Sequence, residues 1–192
     1  MAVISRLTQQ KGMDLVAEAL DAMLALDAQF VLLGTGDAEL HTAFEGAKAR
    51  HPKRVGLKLG FDVALSHKIE AGADMFLMPS RYEPCGLNQM YSLAYGTVPV
   101  VRATGGLDDT ITGYPAPEAT GFKFLDYNGS AFLDAIRQAC RTWTGKQAWA
   151  AMMVRGMRKD YSWATSAGEY SRLYRKIASS GAAGDSNFQD ED

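Results

Sequence analysis

Cysteine is scarce in this sequence: Cys85 and Cys140 are the only two in 192 residues, far apart and outside any Cys-x-x-Cys pair. The three histidines are scattered as well. A disulfide framework needs several paired cysteines, and a zinc site needs clustered Cys and His ligands. The sequence therefore predicts a protein of a reducing compartment, with no disulfide, no metal and no other cofactor.

Long apolar runs and charge of one sign are also missing. No apolar stretch reaches the roughly 18 residues that a membrane span requires, and the N-terminus lacks the basic-then-apolar pattern of a signal peptide. The formal charge is only -2, and no run of Lys and Arg alternates with aromatic residues. We therefore expect no membrane partner, no nucleic-acid partner and a cytoplasmic location.

Apolar residues make up 47% of the chain, enough for one substantial core. Short apolar runs alternate with helical stretches. Strands are predicted at residues 2–5, 30–33, 55–61, 75–78, 98–101 and 122–124, and helices at residues 13–26, 38–50, 66–71, 87–95, 131–143, 147–157 and 166–177. This alternation indicates an α/β fold, a Rossmann-like doubly wound parallel sheet with helices on both faces.

The ends of the sequence differ from its middle. We predict one domain over residues 1–178 and a disordered acidic tail over residues 179–192, because the tail is rich in Ser, Gly, Ala and acids and holds a single aromatic residue. The chain begins directly with a buried strand, so we also expect it to be part of a longer protein. The helix predicted at residues 166–177 has one apolar face that needs a partner.

Ligands of an open parallel sheet bind beyond the carboxyl ends of the strands, so the loops that follow strands are the candidate sites. The first such loop, residues 6–12, places Arg6 and Lys11 five residues apart. Two cations at this spacing suit a diphosphate, and Gly12 would let the backbone approach closely at the helix start. Two solvated surface cations are the alternative for this loop taken alone.

The second loop, residues 34–37, carries Gly34 and Gly36, which would permit close approach of a base or ribose, and Asp37, which would cap the next helix. An ordinary glycine turn is equally compatible with these residues. The dinucleotide fingerprint Gly-x-Gly-x-x-Gly does not follow the first strand. A nicotinamide or flavin dehydrogenase is therefore disfavoured.

The third loop is the most specific. Glu83 lies three residues before Gly86, which opens a predicted helix. The carboxylate could accept hydrogen bonds from sugar hydroxyls, while the N–H groups of Leu87 and Asn88 face a phosphate. Glu83 alone would be compatible with a helix cap or a surface acid. The whole string favours a phosphate-and-sugar site.

Three motifs together resemble one family. Ser-Arg-Leu-Thr-Gln-Gln-Lys-Gly at residues 5–12, Glu-Pro-Cys-Gly-Leu at residues 83–87 and Arg-Ala-Thr-Gly-Gly-Leu-Asp-Asp-Thr at residues 102–110 resemble, in order and spacing, the bacterial glycogen synthases and plant starch synthases. The likeness covers residues 3–177. Members of that family are retaining glucosyltransferases with two facing Rossmann-like domains, and the resemblance implies the C-terminal half of this GT-B fold.

The resemblance also implies site residues. Arg6 and Lys11 would bind the diphosphate of ADP-glucose, the donor substrate, and Glu83 would lie against the glucosyl ring; these three form the expected catalytic set. The expected substrate-binding residues are Cys85 beside the sugar, Gly86, Leu87 and Asn88 through their backbone N–H groups, Thr104, Gly105 and Gly106 on the phosphate side, and Tyr82, Gly34 and Gly36 at the adenine.

The reaction implied by the resemblance transfers glucose to the 4-hydroxyl at the non-reducing end of an α-1,4-glucan acceptor, with retention and without a metal. The family's N-terminal Rossmann-like domain is missing here, so we expect the isolated chain to be inactive. A plastid location would apply to a plant or alga. Many wider relatives carry a second Glu where Tyr91 stands, which favours the glycogen and starch synthase group.

Two alternatives stay open. One is a stand-alone module that binds a nucleotide sugar without catalysis. The other is a retaining transferase that uses UDP-glucose, since phosphate loops cannot distinguish the base. Asp108 and Asp109 could suggest a metal pair, but their place after two glycines at a predicted helix start favours a capping role.

Overall fold

The computed structural model describes residues 1–182, with side chains described through residue 179. The chain forms two compact units, one spanning Met1–Lys159 and a second that begins at Asp160. Whether residues 160–178 belong to the first domain, as the sequence predicts, stays a prediction.

The first unit alternates strands and helices from its first residues. Its strands are β1 (Ala2–Leu7), β2 (Phe30–Gly36), β3 (Val55–Leu59), β4 (Met75–Met78), β5 (Val98–Arg102) and β6 (Phe122–Phe124). Its helices are α1 (Met13–Leu24), α2 (Ala38–Arg50), α3 (Val63–Gly72), α4 (Asn88–Tyr95), α5 (Gly105–Thr110), α6 (Gly129–Thr144) and α7 (Lys146–Met157), and a 3-10 turn at Gln9–Lys11 precedes α1.

The six strands form one sheet in the order β3-β2-β1-β4-β5-β6, and every strand pair in it is parallel. The order reverses between β1 and β4, which is the doubly wound arrangement. The predicted α/β fold class is therefore confirmed. The carboxyl ends of β1 and β4 meet at this reversal, where α/β proteins place their ligands.

The core fills both faces of the sheet. Its largest fully buried rings are Phe30, Phe44, Phe76, Phe122 and Phe132. Helix α6 shows how the sequence positions a helix: Phe132, Ala135, Ile136 and Ala139 recur at helical spacing and are all buried. The side chain of Asn128 caps this helix by accepting a hydrogen bond from the Ala131 N–H at 2.8 Å.

Several predicted element boundaries are wrong by two or three residues. Strand β1 runs to Leu7 and β2 to Gly36, so both extend into residues assigned to loops. Helix α3 begins at Val63, three residues earlier than predicted, because the Asp62 side chain accepts a hydrogen bond from the Leu65 N–H at 2.9 Å. Strand β3 ends at Leu59, two residues earlier than predicted.

The second unit is a single described helix, α8 (Trp163–Ala182). The Asp160 carboxylate precedes it and accepts hydrogen bonds from the Ser162 N–H and the Thr165 hydroxyl. The helix includes the first residues of the predicted tail, and residues 183–192 lie outside the described part of the chain. Within residues 1–182, no helix is both long and apolar enough to cross a membrane.

Candidate functional site

A cleft of about 180 Å³ opens at the carboxyl edge of the sheet, between the ends of β1 and β4; we call it the carboxyl-edge cleft. Its lining brings together residues from loops that are far apart in the sequence. Six of the predicted site residues line it: Arg6, Lys11, Glu83, Gly86, Leu87 and Asn88.

An ion pair lies in this cleft. The Lys11 Nζ is 2.6 Å from the Glu83 Oε2, and the Ser80 hydroxyl donates to the same oxygen at 3.1 Å. Glu83 is only 6% exposed. A buried carboxylate needs such compensation, because the loss of hydration strongly disfavours a lone charge. Since both bonds fall on Oε2, the Oε1 atom accepts none from the described residues and can accept from a bound hydroxyl.

Backbone contacts hold the Lys11 loop against the Glu83 loop. Gly12 has a φ of +71°, and a Cβ there would lie 2.0 Å from the Pro79 carbonyl oxygen. The Arg81 N–H donates to the Gln10 carbonyl at 2.9 Å. Only glycine fits this approach, so Gly12 serves the contact between two loops rather than contact with a ligand alone.

Helix α4 points its N-terminus into the cleft. The first N–H groups of a helix have no partner inside it, and its dipole favours an anion there. The Asn88 side chain anchors this end by donating to the Ile4 carbonyl of β1 at 2.9 Å. Arg6, at the carboxyl end of β1, is exposed and donates to the Gln10 Oε1 at 3.4 Å. Two cations and a helix N-terminus thus face one small volume, which suits a phosphate.

Tyr127 supports the Lys11 loop through its hydroxyl and its ring. Its hydroxyl donates to the Asp14 Oδ1 at 2.6 Å, and the Gln9 carbonyl oxygen, 3.1 Å away, is a second acceptor for the same hydrogen. The Arg81 guanidinium lies 4.1 Å from its ring centroid. Burial, followed by the bond to Asp14, raises the pKa of Tyr127 to about 12. The hydroxyl therefore stays a neutral donor throughout the physiological range.

Other predicted residues lie beside the cleft without lining it. Tyr82 and Cys85 are exposed, and the Cys85 thiol donates to the Gly86 carbonyl at 3.4 Å. Thr104 precedes α5, and Gly105 and Gly106 form its first turn. The Gly106 N–H already donates to the Glu83 carbonyl at 3.0 Å. The phosphate-side role of residues 104–106 stays a prediction.

Gly34 and Gly36 have a structural reason that the sequence did not reveal. They are paired residues of β2, and a Cβ on either would lie about 2 Å from a backbone oxygen of β1. The Gly36 N–H also donates to the His41 Nε2 at 3.1 Å. Asp37 is at the N-cap of α2 as predicted, but its side chain makes no capping hydrogen bond. Contact with adenine stays a prediction for these glycines.

Sequence reasoning missed three residues of this edge. Ser80 was not singled out, although it bonds Glu83. Phe61 was assigned to a strand, but it follows β3 and is 89% exposed, next to Gly60, whose N–H donates to the Gly34 carbonyl. Gln89 is fully buried under the Glu83 loop. An aromatic residue just after a strand could have drawn attention to Phe61, whereas Ser80 and Gln89 carry no distinctive signal.

In residues 1–182, no cluster of three or more His, Cys, Asp or Glu side chains could hold a metal ion. Asp108 lies in the first turn of α5 and forms an ion pair with Lys123. Asp108 thus has a cation partner within the fold.

The fold and the cleft define a class of protein. The sequence profile described as "Glycosyl transferases group 1" matches residues 1–151, and the chain belongs to this family. It is 55% identical over 179 residues to a glycogen synthase of Anaeromyxobacter sp. (strain Fw109-5), which covers 93% of this chain and 38% of that protein. A glycogen synthase of Koribacter versatilis is 49% identical over 92% of this chain and 37% of that protein.

Among solved structures, the catalytic domain of starch synthase IV from Arabidopsis thaliana, bound to ADP and acarbose, superposes with a TM-score of 0.84 and 35% identity, over 93% of this chain and 38% of that one. The predicted resemblance to glycogen and starch synthases, and to the C-terminal half of their GT-B fold, is confirmed. The chain spans a little over a third of the length of these relatives.

Proposed function

We propose that this chain is the donor-binding domain of an ADP-glucose-dependent α-1,4-glucan synthase. The observation that carries the proposal is the pairing of Lys11 with Glu83 beside the N-terminus of α4, in a chain that is similar to glycogen synthases over nine tenths of its length. This arrangement supplies cations and N–H groups for a diphosphate and a carboxylate oxygen for a sugar hydroxyl.

In the proposed reaction, the bond between the glucosyl anomeric carbon and the diphosphate breaks as a bond forms to the 4-hydroxyl oxygen at the non-reducing end of the glucan, with retention. Arg6 and Lys11 stabilise the negative charge that develops on the departing diphosphate. Glu83 orients the glucosyl ring through Oε1. The departing phosphate takes the acceptor's hydroxyl proton, so this chain need not supply a general base.

Phe61 is a candidate for contact with the adenine base. Its ring is 89% exposed and follows β3, whose neighbour β2 carries Gly34 and Gly36 at its carboxyl end. An exposed apolar ring at the edge that holds the phosphate cleft offers a stacking surface for adenine. This residue joins Tyr82, Gly34 and Gly36 as candidates for the base contact.

The acceptor glucan needs a second wall. The described residues contribute one side of the reaction centre, and catalysis requires both reactants to be held in register. The relatives are more than twice as long as this chain. We therefore propose that the 192 residues alone bind the donor without transferring glucose at a measurable rate, and that an N-terminal Rossmann-like domain supplies the glucan site.

Calorimetric titration of the chain with ADP, ADP-glucose and UDP-glucose tests the proposal. We expect saturable binding with a preference for the adenine nucleotides. An Arg6→Ala/Lys11→Ala variant should raise the Kd for ADP about 100-fold, because each charge-assisted hydrogen bond contributes roughly 1.5 kcal/mol or more. A Lys53→Ala/Arg137→Ala variant, which removes two exposed cations outside the cleft, should bind ADP as the wild type does.

Each other outcome has a definite meaning. Equal affinity for UDP-glucose and ADP-glucose would favour the wider-specificity transferase. Tight ADP-glucose binding with no glucose transfer, even after the full-length relative's N-terminal domain is added, would favour a stand-alone binding module. No binding of any nucleotide by the folded chain would refute a donor site in the carboxyl-edge cleft.

A further inference from the structure

Gln89 is a buried amide in the first turn of α4, where glutamine side chains are usually exposed. Its Nε2 lies 3.0 Å from the Cys85 carbonyl oxygen, 3.1 Å from the Gly86 carbonyl oxygen and 3.2 Å from the Thr110 hydroxyl, so its two N–H hydrogens are shared among three acceptors. Three acceptors around one buried amide nitrogen form a compact network. Such networks fix the conformation of the segments that they join.

The acceptors belong to two segments that follow neighbouring strands. Cys85 and Gly86 follow β4, whereas Thr110 ends α5, which follows β5. The Thr110 hydroxyl in turn donates to the Gly106 carbonyl, and the Gly106 N–H donates to the Glu83 carbonyl. Gln89 therefore joins the Glu83 loop to the start of α5 at residues 104–106.

The amide also packs directly under Gly86. A Cβ at Gly86 would lie 2.5 Å from the Gln89 Oε1, and Gly86 has a φ of +73°. The Oε1 atom is itself buried and has no hydrogen-bond partner among the described residues. An unpaired buried oxygen carries a cost. The hydrogen bonds of the Nε2 group offset that cost.

The bonds to the two carbonyls determine where the next N–H groups point. A trans peptide is planar, with its N–H opposite to its C=O. Since the Cys85 and Gly86 carbonyls face the buried amide, the N–H groups of Gly86 and Leu87 face away from it. Both residues line the carboxyl-edge cleft.

We propose that Gln89 is a positioning residue of the donor site, which aims the Gly86 and Leu87 N–H groups at the diphosphate and fixes the Glu83 loop against the start of α5. The proposal rests on the proposed function of the cleft. Replacing Gln89 should therefore weaken donor binding even in molecules that remain folded, although the side chain does not touch the donor.

Two variants test this role in the 192-residue chain, with ADP as the probe. Gln89→Leu keeps the approximate volume and removes the donor group, and we expect the Kd for ADP to rise about 10-fold at a temperature well below the unfolding midpoint. Gln89→Glu places a carboxylate against two carbonyls at pH 8, which should weaken ADP binding similarly. At pH 5.5 the protonated carboxyl group can donate one hydrogen bond, so affinity relative to the wild type at the same pH should recover at least threefold.

A matched control separates positioning from stability. Thr97 is buried just beyond the other end of α4, and its hydroxyl donates to the Glu70 carbonyl. Thr97→Val should lower the unfolding midpoint and leave the Kd for ADP unchanged. The proposal is overturned if both Gln89 variants bind ADP like the wild type, or if their affinity falls only with their folded fraction. A wild-type chain that does not bind ADP would instead refute the donor site itself, and this inference with it.

Discussion

Two buried glutamates lie at opposite edges of the same sheet and have opposite surroundings. Glu83, after β4, has Lys11 and Ser80 within hydrogen-bond distance. Glu70, near the end of α3 and so at the amino edge, is 3% exposed and has no ion-pair partner in residues 1–179. Burial raises the pKa of Glu70 to about 7. Glu83, which the proposed function uses, has a compensating cation, whereas Glu70, which is buried by packing alone, has none among the described residues.

The cavities at the two edges differ in the same way. A cavity of about 770 Å³ lies at the amino edge, where its lining includes Met1, Arg54, Lys68 and Asp74. This amino-edge cavity is larger than the carboxyl-edge cleft. Its Arg54 is already engaged, because the guanidinium donates to the Leu24 and Ala28 carbonyls. Volume alone would favour the amino edge. The convergence of cations and helix N-terminal N–H groups favours the carboxyl edge for the proposed donor site.

The largest contrast should come from one glycine at each edge. Gly12→Ala puts a Cβ 2.0 Å from the Pro79 carbonyl oxygen at a positive φ, whereas a Cβ at Gly72 meets nothing within 4 Å. We expect Gly12→Ala to lower the free energy of unfolding by about 3 kcal/mol or more, and Gly72→Ala to change it by less than about 1 kcal/mol. Urea denaturation measures both. Equal effects would show that the loop contact at Gly12 is not a tight one.

The ion pair gives the next largest effect. Lys11→Met leaves the buried Glu83 carboxylate without its cation, and we expect the free energy of unfolding to fall by about 2 kcal/mol at pH 8. Adding Glu83→Gln should restore most of that loss, because the uncompensated charge is gone. Lys68→Met, at the exposed rim of the amino-edge cavity, is the control and should have no effect. A double variant no more stable than Lys11→Met would contradict the pairing.

Removing the charge of Glu70 should stabilise the protein, whereas removing the cation of Lys11 should destabilise it. Its folded-state pKa of about 7 lies above the ordinary value of 4.5, so the protonated form is favoured in the native state. The stability this provides is complete below about pH 4.5 and is lost as the pH rises through 7. Glu70→Gln should therefore stabilise the protein by about 1 to 2 kcal/mol at pH 8 and little at pH 4.5. Urea denaturation at the two pH values measures this effect, with the exposed Glu118→Gln variant as the control. A gain in stability that does not depend on pH would show that burial of the charge is not the cause.

The fold could be predicted because buried parallel strands are continuous apolar runs, and six such runs alternate with helical patterns. Strand ends were harder. Gly34 and Gly36 look like a turn, yet they continue β2, because backbone pairing does not depend on side chains and the close approach to β1 excludes a Cβ. The early start of α3 had a signal in Asp62, a frequent capping residue.

The site could be predicted as a set of loops, because parallel topology brings every loop after a strand to one edge. Its contacts could not. Lys11 and Glu83 are 72 residues apart, and the sequence assigned one to the phosphate and the other to the sugar without indicating that they touch. The burial of Gln89 could not be predicted either, because its place in the first turn of α4 does not reveal which face of the helix is buried. Side-chain contacts between loops that follow different strands depend on tertiary packing, which local sequence patterns do not encode.

The smallest expected effect tests how firmly the Lys11 loop is supported. Tyr127→Phe keeps the ring beneath Arg81 but removes the hydroxyl that bonds Asp14 and the Gln9 carbonyl. We expect the free energy of unfolding to fall by about 1 kcal/mol near neutral pH, a usual value for a lost hydrogen bond. The raised pKa of about 12 adds a signature: the stability that it provides is complete below about pH 10 and is lost as the pH rises toward 12.

The Phe variant should therefore lose its deficit relative to the wild type between pH 10 and pH 12, because the wild-type hydroxyl then ionises against Asp14. Tyr114→Phe is the matched control, since the Tyr114 ring packs at a tilt against Phe122 and its hydroxyl has no partner among the described residues. If Tyr127→Phe and Tyr114→Phe show the same small deficit at every pH, the hydroxyl does not tie the loop to α1. A deficit seen only for Tyr127→Phe, with a two- to threefold weaker affinity for ADP, means that the loop carrying Lys11 is held in place for binding.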